Sequence, residues 1–390
     1  MKVTMLGAGG GDTYYELGLV SGLISKGINI DFIGSDFMKD TNILKNKNVQ
    51  FYNLRGKQHA DATMKEKIFR IIKFYFLLVK YAYKTDSKLF HIQWLNKFIY
   101  FDRTFLLLYY KILGKKLIFT AHNVNAGQRD RNNNLMNRLT LKFMYKIFDK
   151  IIVHTNKMRY QLIEDFNIDE NKVIAIPYGI NNVVYKSDLT RLQARKKFQL
   201  KSDMKTLLFF GYITPYKGLE YLILALAKLK EYINDFKLII AGKIDINCEK
   251  YWGNILKIIE ENDVWDYIIQ KIGFVPDEDI EIYFKAADIL ILPYDFIFQS
   301  GPLFMSYNFG LPVIATDVGS FKDDVIEGKT GFICRPKDHN DLANKINYYF
   351  RSDLFKDLET NRIKIIKYAS EKYSWRKIGA RTYAIYTSLQ

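Results

Sequence analysis

Proline is absent from the first 176 residues of this 390-residue chain, and all seven prolines lie between Pro177 and Pro336. No proline therefore breaks a helix or strand in the first half. Cysteine is nearly absent too. Cys248 and Cys334 are the only two, with neither metal-ligand nor CxxC spacing, which excludes a disulfide framework and points to structural thiols in a reducing compartment. Of the five histidines, His59, His91, His154 and His339 form no ligand spacing, so a zinc centre is not expected. No apolar run reaches the roughly 18–20 residues that span a bilayer. The N-terminus, MKVTMLGAGG, reads as a strand and turn rather than a signal peptide, and the chain is expected to be cytoplasmic.

Acidic residues are scarce in one half only. Residues 1–186 hold 29 Lys+Arg against 15 Asp+Glu, a net +14 of the chain's +16. Such asymmetry suggests that the first half faces something anionic, a membrane surface or nucleic acid. No nucleic-acid-binding module is present, and nucleic acid is not expected as a partner.

The length suits two domains of nearly 200 residues, and 48% hydrophobic with 26% charged residues describes a globular chain. Val3–Leu6, the glycine turn from Gly7 and the apolar run Tyr14–Ser25 read as strand, turn and helix, with a second strand after Gly27. The dinucleotide fingerprint would need glycine where Asp12 stands, which argues against a nicotinamide or flavin cofactor. Further strands are expected near Val49–Leu54, Leu89–Gln93, Lys116–Ala121 and Lys150–His154, alternating with helices as in a covered parallel sheet.

The second half starts afresh: strand Thr206–Phe210, a turn through Gly211 to Gly218, helix Leu219–Lys230, then strands Lys237–Ala241 and Ile268–Ile272. Ile289–Leu292 is a short apolar run of the kind found in buried parallel strands. After Pro293 a loop leads to Ser300-Gly301-Pro302, where a helix can begin with Ser300 as its cap, and Val313–Ala315 starts the next strand. A helix N-terminus at the end of such a strand is an anion site, and the natural anion is a phosphate. Gly328–Pro336 reads as a hairpin-like turn and short strand. Asp277-Glu278-Asp279 has the look of a metal-binding DxD, but before Ile280–Ala287 it is better read as an acidic helix start, so no metal is expected.

Two helices of the first half, Met64–Lys84 and one within Lys97–Lys116, interleave lysine and arginine with Phe, Tyr, Leu and Ile. They can pack on a sheet with snorkelling lysines, or dock on anionic lipid with aromatics at headgroup level.

With these pieces in order, the chain resembles a family 4 (group 1) glycosyltransferase of the GT-B fold. The resemblance rests on FFGYITPYKGLEYLI, IAGK, IGFVPDEDIEIYFKAADILILPY, SGPLFMSYNFGLPVIATDVGSFKDDVIEGKTGF and TAHN. It implies an α/β chain of two Rossmann-like domains facing a cleft, the N-terminal one for the acceptor and the C-terminal one for a nucleotide-sugar. The expected boundaries are 1–186 and 203–370, with a polar linker 187–202 and C-terminal helices 371–390 crossing back.

Carried onto this sequence, Lys217 matches the diphosphate-binding lysine, and His122, with Asn123 beside it, matches a histidine lining the cleft next to the transferred sugar. Gly9, Gly10 and Gly11 would let the first domain approach the diphosphate and acceptor. Gly211, Tyr212 and Thr214 form the donor-site turn, Phe274 and Val275 would frame the base with Lys243 nearby, and Ser300, Gly301, Pro302 and Leu303 supply the helix N-terminus. Two features of the family are missing: no arginine precedes Lys217 in the turn, and the usual glutamate pair is absent. The second of that pair falls on Met305; for the first, Asp295 and Gln299 are the candidates. The resemblance implies a retaining, metal-independent, hexosyl-type transfer to a saccharide or lipid-linked saccharide in surface polysaccharide assembly, at the inner face of the cell membrane. It requires no cofactor beyond the nucleotide-diphosphate sugar. A soluble transferase making a free glycoside, or a non-catalytic subunit binding a sugar-nucleotide, are the alternatives.

Overall fold

The structure is a computed structural model that describes residues 1–7, 13–58, 62–129, 133–180, 182 and 186–390. The chain divides into two compact units, residues 1–179 together with 373–390, and residues 180–372.

Unit 1 is built on seven parallel strands: β1 (Lys2–Leu6), β2 (Asn29–Gly34), β3 (Val49–Asn53), β4 (Leu89–Ile92), β5 (Lys116–Thr120), β6 (Lys150–Val153) and β7 (Val173–Ala175). Their order is 3-2-1-4-5-6-7. Unit 2 has six, β8 (Lys205–Phe210), β9 (Phe236–Gly242), β10 (Ile268–Ile272), β11 (Ile289–Leu292), β12 (Val313–Thr316) and β13 (Gly331–Cys334), in the order 10-9-8-11-12-13. Every residue of β4 and of β11 is buried, because helices cover both faces of a parallel sheet, and the sequence there is accordingly apolar almost without interruption. In each sheet the order reverses beside its first strand, at β1/β4 and at β8/β11. The crevice at such a reversal is where open α/β sheets bind ligands.

The expected strands occur within a residue or two of their sequence positions. Strand β7 had no counterpart in the sequence reading, and β13 pairs in parallel with β12, so the turn before it is not a hairpin. A larger correction concerns residues 187–202. They are not a linker: helix Arg191–Lys196 starts with a capping box between Thr190 and Gln193. Arg195, only 1% exposed, donates to the carboxylate of Asp288 and to the carbonyl of Ala286. Arg191 bonds the same carboxylate. Arg191 and Arg195 thus tie the stretch into unit 2, while most of its other polar side chains, Gln193, Lys196, Lys197 and Lys201 among them, face water.

The last helix, Trp375–Thr387, lies on α1 (Thr13–Ile24) within unit 1. Only glycine fits under it. A Cβ at Gly18 would sit 1.9 Å from the Trp375 ring, one at Gly22 2.1 Å from the Trp375 carbonyl oxygen, and one at Gly179 2.2 Å from the ring.

Candidate active site

In unit 2 the strand ends build one compact arrangement. β8 runs into Gly211, whose φ of +109° suits glycine, and the chain then closes a 3-10 turn, Pro215–Lys217. Gly218, at φ +63°, lets that turn press on the loop after β11; a Cβ there would lie 2.1 Å from the Pro293 carbonyl oxygen. The Asp295 amide donates to the Tyr216 carbonyl at 2.8 Å, tying the two loops together. Lys217 is thereby folded back over its own turn. A Cβ at Gly211 would meet its Nζ at 2.7 Å and Pro302 Cγ at 3.8 Å, which brings Gly211, Lys217 and the start of helix Gly301–Asn308 into one place.

Lys217 is 6% exposed, and its Nζ lies 5.6 Å from the Tyr294 ring centroid. Burial disfavours the ammonium and lowers its pKa to about 8, with Asp245 acting the other way. The loops that carry Lys217, Tyr294 and the start of helix Gly301–Asn308 also hold buried oxygens with no hydrogen-bond partner among the described residues: Thr214 Oγ1, Tyr294 Oη, Asp295 Oδ1 and Ser300 Oγ. The Tyr294 and Ser300 hydroxyls adjoin each other without hydrogen-bond geometry. Buried polar atoms are normally paired, so such a concentration of bare ones on the loops that hold a desolvated cation marks a place prepared for a polar ligand.

Ser300 does not cap the helix as expected. At φ −119° and ψ 109° its hydroxyl makes no bond to the first turn, whose N–H groups have no partner within the helix itself, and Pro302 sits harmlessly in that turn. A Cβ at Gly301 would meet nothing within 4 Å, so space lies open there. Of the other expected donor residues, Tyr212 and Phe274 are exposed, Val275 is buried, and the Lys243 carbonyl accepts from the Ile213 amide while its side chain is exposed. Leu303 and Met305 face the core and offer backbone alone or an apolar wall. Gln299 is held by Ser320, which donates to its amide oxygen at 2.6 Å, and it donates to Asp324 at 3.3 Å. Asp295, whose pKa is raised by burial, keeps only a 3.7 Å contact with Lys337 and is the freer of the two candidates for the missing glutamate. Asp277–Asp279 forms the turn before helix Ile280–Ala286, and among the described residues no three His, Cys, Asp or Glu gather as metal ligands.

Unit 1 holds a separate aromatic and imidazole cluster at the ends of β5 and β6. His122 is 7% exposed and stacked on Trp94, with ring centroids 4.6 Å apart and planes 7° from parallel. Tyr15 packs edge-on at 4.7 Å. The His122 Nδ1 lies 3.0 Å from His154 Nε2, while His122 Nε2 has no partner among the described residues. Burial, reinforced by His154 and His91, pushes the His122 pKa well below 6.5, so the ring is neutral. Asn123 follows it, half-buried; Gly9, Gly10 and Gly11 lie outside the described residues. Trp94, His154 and Tyr294 were not anticipated as members of these sites. Each sits just past a strand end, which is the one signal that could have singled them out.

The profile described as "Glycosyl transferases group 1" matches residues 190–372, and "Glycosyltransferase Family 4" matches residues 9–182. The chain belongs to the group 1, family 4 glycosyltransferases. An uncharacterized glycosyltransferase of Methanocaldococcus jannaschii is 26% identical over 243 residues, 61% of this chain and 59% of that protein. The chain thus spans under two thirds of the length of that curated relative. Among solved structures, sucrose-phosphate synthase from Thermosynechococcus elongatus shares the fold with a TM-score of 0.78 at 19% identity, covering 100% of this chain and 99% of that one. Anabaena HepE, solved in complex with UDP, has a TM-score of 0.76 at 16% identity with both chains fully covered. Both are GT-B structures, and the two parallel sheets of this glycosyltransferase are of that kind.

Proposed function

We propose that this glycosyltransferase moves a sugar from a nucleotide-diphosphate donor to a saccharide or lipid-linked saccharide, with retention at the anomeric carbon. The observation that carries the reading is Lys217, a buried ammonium brought by Gly211 to the start of helix Gly301–Asn308, on loops that hold several unpaired polar atoms. As the anomeric C–O bond breaks, the leaving diphosphate gains negative charge. A fixed cation and N–H groups already in place stabilise that charge without reorganisation. The reading therefore assigns the leaving group to Lys217 and residues 301–304 and requires no metal. Support for the donor class comes from the Anabaena neighbour, which binds UDP and, in another structure, UDP-glucose. A neighbour of lower similarity is a lipopolysaccharide outer core galactosyltransferase, which favours surface polysaccharide assembly as the setting.

The acceptor side of the proposal is a peripheral position on the anionic inner face of the cell membrane. In α2 (Met64–Lys84), Met64, Ile68, Phe69, Ile72, Phe76 and Tyr83 are all at least half exposed, while Phe74, Tyr75, Leu78 and Ala82 are buried. Exposed Lys65, Lys73, Lys80 and Lys84 flank that apolar stripe, the arrangement that suits an anionic bilayer surface. Among the described residues no helix is long and apolar enough to cross a membrane.

The test is hydrolysis of a panel of nucleotide-sugars in the absence of acceptor. One donor should be cleaved to free sugar and nucleoside diphosphate well above the rest, and a Lys217→Ala chain should not do it. Specific binding of a nucleotide-sugar with no cleavage, alone or with any acceptor, would favour the non-catalytic reading.

A further inference from the structure

We propose that a basic cavity in unit 1 binds a phosphate or diphosphate group carried by the acceptor; the inference rests on the transferase reading for the word acceptor, and on geometry for the rest. The cavity, of about 520 Å³, is lined by four cations, Arg55, Lys67, Arg70 and Lys97, and by no carboxylate among its described lining residues. They come from three places: Arg55 follows β3, Lys67 and Arg70 project from α2, and Lys97 follows β4.

Arg55 is the fixed member. Its Nη2 donates to the Gly7 carbonyl at 2.9 Å and to Asn96 Oδ1 at 2.6 Å, and its guanidinium carbon lies 4.4 Å from the Phe74 ring centroid. Its Nε is buried with no partner among the described residues. Gly7 directly follows β1, so the guanidinium stands at the carboxyl edge of the sheet beside the β1/β4 reversal, the place where such sheets take ligands. Part of the Arg55 charge is offset by Asp102 and Glu16, two fully buried carboxylates outside the cavity lining, which still holds Lys67, Arg70 and Lys97 with no carboxylate among them. Asp102 accepts hydrogen bonds from the Tyr75 hydroxyl at 2.9 Å and the Asn96 amide at 2.6 Å.

Four cations sharing one small cavity repel each other, and a single carboxylate would leave most of that repulsion in place. A phosphate or diphosphate carries enough charge and enough acceptor oxygens to answer several of them, and an arginine fork matches it. The donor site proposed around Lys217 lies in unit 2, so this cavity would be a second anion site on the chain. The exposed apolar stripe of α2 begins on the same helix turns as Lys67 and Arg70, which favours a diphosphate borne by an apolar chain over a soluble sugar phosphate.

The experiment measures binding of inorganic pyrophosphate by calorimetry to the full chain carrying Lys217→Ala, which removes the donor-site cation. Binding should persist in that background, and adding Lys67→Ala with Lys97→Ala should weaken it at least about tenfold, the order expected for losing charge-assisted hydrogen bonds. Both lysines are partly or fully exposed, so folding is not at stake. Absence of binding in the Lys217→Ala chain, or indifference to the two cavity substitutions, would overturn the proposal. Farnesyl diphosphate and glucose 6-phosphate are then compared as competitors. The better one names the source of the phosphate, and failure of both to displace pyrophosphate would also sink the site. None of these readouts needs a donor or turnover. If the unaltered chain cleaves no nucleotide-sugar, alone or with any acceptor, the transferase reading fails, while pyrophosphate binding to the Lys217→Ala chain would leave the anion site standing.

Discussion

Nδ1 of His122 lies 3.0 Å from Nε2 of His154, and Nδ1 of His154 lies 3.2 Å from the carbonyl oxygen of Ile176. A carbonyl can only accept, so His154 carries its hydrogen on Nδ1 and donates it there. Burial lowers the His154 pKa to about 4, which keeps the ring neutral and its Nε2 bare. That bare nitrogen accepts from His122 Nδ1, leaving His122 Nε2 as an unprotonated acceptor. A backbone carbonyl one residue beyond strand β7 thus sets the tautomer of the expected catalytic histidine, and the group it would meet on a substrate is a hydroxyl.

Long-range ¹H–¹⁵N correlation spectra at neutral pH should show His122 as the Nδ1–H tautomer. In a His154→Phe chain, which keeps a ring but removes the acceptor, the Nδ1–H form should lose its dominance. An Nε2–H or doubly protonated His122 in the unaltered protein would refute the relay.

The same imidazoles predict acid sensitivity. His91 and His154 have pKa values lowered to about 3 and about 4, and His122 is also lowered, against about 6.5 in the unfolded chain. Between pH 6.5 and 4 the unfolded state binds protons that the folded state refuses. Stability is therefore fully present above 6.5 and is lost as pH falls, by about 1.4 kcal/mol per pH unit for each histidine. Urea unfolding midpoints should drop steadily over that range, and a His91→Gln chain should show a shallower slope.

Lys217→Ala should lower kcat/KM by about 2–4 kcal/mol of transition-state stabilisation, toward the upper end because no arginine in the turn shares the load. Retention of more than about a tenth of the activity, roughly 1.4 kcal/mol, would remove Lys217 from the site. With its pKa near 8, the free site binds its proton only below that pH. Affinity for the donor should fall as pH rises through 8, and binding near pH 8 should take up protons, visible as a dependence of calorimetric heat on buffer. Activity should survive EDTA; loss on chelation restored by Mg²⁺ would show that a carboxylate pair had been misjudged.

Arg195→Leu should destabilise unit 2 by about 1–3 kcal/mol, because it leaves the Ala286 and Lys201 carbonyls without their donor and Asp288 with Arg191 as its remaining arginine. A true linker residue would cost almost nothing in the same denaturation experiment.

Membrane docking is tested with Lys65, Lys73 and Lys80, which leave the basic cavity untouched. The protein should float with anionic vesicles and not with neutral ones, each lysine adding about 1 kcal/mol. Salt should weaken the attraction, since the Debye length shrinks from ~10 Å at 0.1 M to ~3 Å at 1 M. Changing all three to glutamate should release the protein; indifference to that change would return α2 to an ordinary packing element.

The sequence by itself determined what depends on local order along the chain. Apolar runs such as Ile289–Leu292, the turn at Gly211–Gly218 and the break at Gly310 mark strand, turn and helix end, because burial, positive φ and helix termination each restrict residue type within a few positions. Residue order also placed Lys217 and Ser300 at strand ends. Tertiary structure decided what depends on partners far apart in the chain. Arg195 finds Asp288 across 93 residues, so a stretch with the polarity of a linker is packed structure. Trp375 finds Gly18, Gly22 and Gly179, and nothing local to any of them foretells that meeting. His154 became part of the His122 site for the same reason: adjacent parallel strands bring their ends together whatever the length of chain between them. Ligand spacing in sequence could not reveal a pair joined only through the sheet.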